Sequence, residues 1–213
     1  MTWGSEDPVL SGLVQSLARP GGRITGVTFM SPQAAPKRLE ILKDAIPGLA
    51  RVSAVWDPSH ADTYYRDMES IADALSVRLS LITVRRPADL DTIVTHAAKA
   101  AAQAVFVVPS RLTNAPIYVR RLAQACLQAK LPSMSAYASF ANAGGLFAYG
   151  ADIPDLLKRL AAQTARILSG TSPADLPIEQ ASRFVFVVNR KTAGSIGLNL
   201  ADVIMVRADR VIE

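Results

Sequence analysis

Cysteine is nearly missing from this 213-residue chain: Cys126 stands alone, so no disulfide framework exists to report an oxidising compartment. It sits in the apolar run 122–127, where it is expected to pack as a small hydrophobe inside a helix. Histidine is scarce as well, and His60 and His96 lack the spaced partner ligands that a metal requires. There is no Walker A loop, no Gly-x-Ser-x-Gly elbow and no His-Glu-x-x-His, so nothing reads as an assembled nucleophile, base and orienter. The glycine-rich string 21–26 follows a helix and enters a strand, the reverse of the order that aims backbone N–H groups at a pyrophosphate. No cofactor, no metal and no enzymatic activity are therefore expected.

Long apolar runs are missing too. The uncharged stretch 131–151 has the length of a membrane span, but Pro132, three serines, Asn142 and Gly144-Gly145 break it into loop and turn material. Residues 1–8 lack the positive start and apolar stretch of a signal peptide, so the chain as written carries no export signal and would stay cytoplasmic if expressed that way. The net charge of +5 and a pI near 9.6 would permit contact with nucleic acid, yet the basic pairs Arg85-Arg86, Arg120-Arg121 and Arg190-Lys191 are dispersed among acidic neighbours. They read as solvated surface, with no nucleic-acid partner.

What is present is an ordinary globular balance, 50% hydrophobic and 19% charged, arranged as short β-branched runs alternating with amphipathic helical ones. That alternation predicts an α/β fold with a parallel sheet flanked by helices. Asp7 before Pro8 predicts a helix start, with Val9, Leu10, Leu13, Val14 and Leu17 on one face until Pro20-Gly21-Gly22. Strands are expected over 24–29, 51–56, 78–84, 104–108, 132–136, 146–149 and 183–189. Helices are expected over 35–46, 62–75, 88–102, 116–129 and 153–169, the last capped by Asp152, with a short one ending near Gly197.

Open α/β sheets bind ligands beyond the carboxyl ends of their strands. Those ends carry Ser5 and Asp7, Asp57 and Ser59, Arg85-Arg86, Ser110 and Arg111, Ser135 and Tyr137, Tyr149, and Asn189. The set suits a small polar or zwitterionic molecule: Arg111 offers a fork for a carboxylate, Asp57 a counter-charge for an amine, Ser59, Ser110 and Ser135 neutral hydrogen bonds, and Tyr137 or Trp56 an apolar face. Each has a structural alternative, in which Asp57 caps a turn before Pro58, Trp56 points into the core and Arg111 is solvated.

Several strings carry a family resemblance. The run 7–14 (Asp-Pro-Val-Leu-Ser-Gly-Leu-Val), then 16–22 and 24–27, then 37–43, Pro47-Gly48, Val55-Trp56-Asp57-Pro58, 143–146 with Tyr149-Gly150, 173–177 and Arg207-Ala208-Asp209 are similar in order and spacing to segments of ABC-transporter substrate-binding proteins of the tryptophan and tyrosine type. A departure falls at Pro109-Ser110, where many relatives carry Pro-Asp. The resemblance implies a type I periplasmic binding fold, two α/β lobes joined by three crossovers that close over a small ligand. Mapped here, residues 1–31 and 151–178 would form a partial first lobe and residues 32–150 and 179–213 a near-complete second one. At about 30 residues per βαβ unit, on the order of a hundred first-lobe residues would precede Met1, and the chain reads as N-terminally truncated.

The resemblance further implies a small-molecule ligand such as an amino acid, a membrane permease as partner, and a periplasmic or lipid-anchored location for the full-length form. Self-association is expected through apolar faces of the first-lobe remnant, Leu13, Val14 and Leu17 among them. A cytoplasmic small-molecule sensor or interaction module of the same fold is the alternative reading.

Overall fold

The computed structural model describes residues 1–4, 7–29, 33–59 and 63–213. In chain order these form β1 (Thr2–Gly4), β2 (Gly26–Thr28), α1 (Ala35–Ala45), β3 (Arg51–Trp56), α2 (Thr63–Ala74) and β4 (Arg78–Thr83). A 3-10 turn (Pro87–Thr92) leads into α3 (Ile93–Lys99), β5 (Ala104–Val107), α4 (Arg111–Asn114), α5 (Pro116–Gln128), β6 (Ser133–Ser135), α6 (Ala138–Asn142) and β7 (Phe147–Ala151). The chain closes with α7 (Ile153–Leu168), a second 3-10 turn (Pro173–Asp175), β8 (Glu179–Gln180), β9 (Phe184–Asn189), α8 (Arg190–Ile196), α9 (Asp202–Val206) and β10 (Arg210–Ile212).

The chain separates into two compact units, Met1–Gln33 with Ala151–Phe184, and Ala34–Gly150 with Val185–Glu213. The first holds a parallel three-stranded sheet in the order β1-β2-β8. Because Val27 and Thr28 of β2 pair with Glu179 and Gln180 of β8, the segment 179–184 belongs with this unit, later than the division after Ile178 that the sequence suggests. Helix α7 begins on Asp152, whose Oδ1 accepts the Asp155 N–H at 3.2 Å, and ends where Gly170 turns left-handed at φ +98°. The helix expected after Asp7 does not form. Asp7 Oδ1 accepts from the N–H groups of Val9 (2.8 Å) and Leu10 (3.3 Å), but Gly12 takes φ +71° and stops the chain after one turn. The face expected to be apolar is therefore split, with Val14 buried while Leu10 and Leu13 are 81% and 53% exposed.

The second unit holds a seven-stranded sheet in the order β10-β9-β7-β6-β5-β3-β4, with β3 parallel to both β4 and β5. Side chains alternate across it as strand geometry requires. Val52 and Ala54 of β3 and Phe106 of β5 pack with α1, α2 and α9 through Leu39, Met68 and Ile204. Val55 and Val107 face the other way and pack with α3 and α5 through Ile93, Val119 and Leu122. Each such fully buried side chain contributes about 1.5–3 kcal/mol of transfer free energy, so the two apolar layers hold the sheet. Cys126 lies in the second layer as expected, and burial pushes its thiol up to about 12.

Other features also depart from the sequence expectation. The expected helix 88–102 is a 3-10 turn followed by α3, and Arg38 is fully buried, its guanidinium 6.0 Å from the Phe106 ring centre and its Nε donating to the Tyr149 carbonyl at 2.8 Å. Buried arginine is rare, and its apolar stem and ring contact explain how α1 tolerates it.

Candidate functional site

The order β4-β3-β5 contains a change of direction. The chain leaves β3 through α2 on one face of the sheet, and leaves β5 through α4 and α5 on the other. Between two such strands no connection covers the carboxyl ends, which makes this the expected ligand position in an open α/β sheet. An open concave site of about 620 Å³ lies there, lined by Asp57, Pro58 and Ser59 after β3, Arg85 and Pro87 after β4, Arg111 and Leu112 on α4, and Tyr118 on the first turns of α5. The volume is in the range of small-ligand sites.

Local chemistry positions these groups. Asp57 is buried, and its Oδ1 accepts the Ser59 N–H at 3.0 Å and the Ser59 hydroxyl at 2.7 Å, which folds the loop after β3. Ser110 caps α4, accepting from Leu112 N–H (3.2 Å) and Thr113 N–H (3.1 Å), while Thr113 Oγ1 accepts the Ser110 N–H and donates to the Val108 carbonyl. That cap places Arg111 at the first helical residue with its side chain exposed at the site. On the β4 side, Asp89 Oδ2 accepts the N–H groups of Arg85 (2.9 Å) and Arg86 (3.2 Å), and its Oδ1 accepts from Arg86 Nε at 3.1 Å. The Arg85 N–H foremost, then the Arg86 guanidinium, hold the Asp89 carboxyl below its ordinary range. Arg86 is thereby paired. Among the described residues, no ion pair or hydrogen bond is made by the guanidinium of Arg85 or of Arg111.

Of the residues singled out from sequence, Asp57, Ser59 and Arg111 come together here. Ser110 is adjacent, but its hydroxyl serves the cap. Ser135, Tyr137 and Tyr149 stand at the ends of β6 and β7, one and two strands beyond β5, and none lines this concavity. Asp7 belongs to the other unit, where it caps the turn at 8–11, and Ser5 lies outside the described residues, as does His60. Trp56 is buried, in line with its structural reading. Pro87, Leu112 and Tyr118 are additional. Their signal was the βα rule itself, since the first turns of the helix after a strand sit beside that strand's carboxyl end, and Pro116 marks the start of α5.

Comparison with known proteins agrees with this fold. A family model described as ABC transporter substrate binding protein matches residues 2–212. A tyrosine-binding protein of Clostridioides difficile (strain R20291) is 23% identical over 198 residues, which are 90% of this chain and 55% of that relative, so the chain spans little more than half the relative's length. Among solved structures, a conserved domain protein from Vibrio cholerae superposes with a TM-score of 0.86 at 23% identity, covering 96% of this chain and 68% of that one. The ABC domain from Streptococcus pneumoniae in complex with L-Trp superposes with a TM-score of 0.84 at 23% identity, covering 97% of this chain and 70% of that one. At such identities the superpositions establish a shared periplasmic-binding-protein-like fold.

Proposed function

Since the chain belongs to the ABC transporter substrate binding protein family, whose members bind and do not catalyse, we propose that it acts as the solute-binding component of an ABC importer. Its ligand in this reading is an amino acid or similar small zwitterion, which it presents to a membrane permease from a periplasmic or lipid-anchored position. The observation that carries the reading is the pairing of opposite charges at the switch point: Arg111 after β5 and Asp57 after the adjacent β3 both line one concave site. A guanidinium fork matches a carboxylate and a buried carboxylate matches an ammonium. The amino-acid names carried by two relatives support the same ligand class.

The test is titration calorimetry of the chain with a panel of free amino acids. At least one is expected to bind, and Arg111→Ala should weaken it about ten- to hundredfold, the worth of a charged hydrogen-bonded contact. Lys99→Ala, on the exposed last turn of α3, should leave it unchanged. Binding that survives Arg111→Ala intact would remove Arg111 from the site, and a silent panel would overturn the reading.

A further inference from the structure

Resting on that reading of the site, we infer that the ligand is an acidic amino acid, carrying a second carboxylate beside the α-carboxylate and the ammonium. The strand order sets the charges in a row: Arg111 follows β5, Asp57 follows β3 and Arg85 follows β4, so the carboxyl rim reads plus, minus, plus across three adjacent strands. The outer two strands are about 10 Å apart, a span that two arginine side chains reaching inward readily close around a small dicarboxylate. A neutral amino acid brings one carboxylate and so leaves one of the two guanidiniums without a counter-charge.

Three further observations point the same way. Arg86, the neighbour of Arg85, is already paired with Asp89, and Asp89 also holds the Arg85 backbone, so the loop is fixed while the Arg85 guanidinium is left to the site. Among the described residues lining the site, Asp57 is the sole carboxylate against two arginines. The Tyr118 hydroxyl, on the same wall, has no hydrogen-bond partner among the described residues and adds another donor. Such a donor-rich surface favours an anion, because Arg offers donors only and a carboxylate accepts only.

The experiment compares isosteric pairs on the purified chain at low ionic strength: L-glutamate against L-glutamine and L-aspartate against L-asparagine, with L-tyrosine and L-tryptophan alongside, by titration calorimetry. One acid is expected to bind about ten- to hundredfold tighter than its amide, the increment of one charged hydrogen-bonded contact. Arg85→Gln should abolish that preference, because the change removes the second anchor. Arg85 is exposed, so the substitution leaves the fold intact, which far-ultraviolet dichroism checks. An amide or an aromatic amino acid that binds as tightly as the acids overturns this inference and leaves the proposed function standing. A preference that survives Arg85→Gln also overturns it. Failure of every amino acid to bind removes the proposed function and this inference with it.

Discussion

Arg85 and Arg86 are indistinguishable in sequence, yet one carboxylate separates their fates: Asp89 takes the Arg86 guanidinium and only the backbone of Arg85. The same dependence on a single neighbour governs the glycines. A Cβ at Gly150 would lie 1.9 Å from the Ala136 carbonyl oxygen, where the residue after β6 approaches the backbone of β7. Gly194, inside α8, has open space around it. Gly150→Ala is therefore predicted to cost about 1–3 kcal/mol through forced backbone displacement, whereas Gly194→Ala should gain about 0.5–1 kcal/mol from helix propensity. Urea midpoints of the two variants check the contrast, and equal shifts would contradict the close approach at Gly150.

At the scale of elements, capping decides which amphipathic runs become helices. Asp7-Pro8 and Asp152-Ile153-Pro154 look like equivalent starts, but the first run meets Gly12 within a turn while the second continues unbroken to Leu168. Asp152 has two tasks, accepting the Asp155 N–H through Oδ1 and pairing with Arg183 through Oδ2 at 3.1 Å. Arg183 is mostly exposed, so the ion pair contributes little and the cap dominates. Asp152→Ala is predicted to destabilise the first unit by about 1 kcal/mol, and Asp152→Asn, which keeps the cap, by under about 0.5 kcal/mol. Denaturation followed at 222 nm measures both; an asparagine variant as weak as the alanine one would show that the charge matters more than the cap.

At the scale of the whole molecule, ligand binding and stability are linked, because a ligand that engages the folded site alone draws the equilibrium toward it. A saturating acidic amino acid at a hundred times its dissociation constant should stabilise the unit carrying the site by about 2.7 kcal/mol. For a chain of this size that raises the corresponding thermal transition by roughly 5–10 °C. Scanning calorimetry with and without ligand reads the shift, and Arg111→Ala should suppress it. A transition that stays put at saturation would place the binding elsewhere than in the folded second unit.

The alternation of β-branched and amphipathic runs determined the α/β class, because strand and helix periods are local properties written at 2.0 and 3.6 residues. Turn chemistry likewise marked the end of β3 at Asp57-Pro58 and the cap of α7 at Asp152. Arg111 and Asp57 were legible as candidate site residues because they stand at strand ends, and strand ends can be read without knowing the strand order. Which ends share a site could not be read that way. Only the order β4-β3-β5 brings Asp57, Arg85 and Arg111 to one concavity and leaves Ser135, Tyr137 and Tyr149 outside it. That order is fixed by long-range pairing between strands some twenty-five to fifty residues apart, as Val52 with Leu79 and with Ala104. The burial of Arg38 against Phe106 is another such product of packing. Local sequence specifies the pieces; the juxtaposition of distant charges follows from how the apolar faces close, which no single segment encodes.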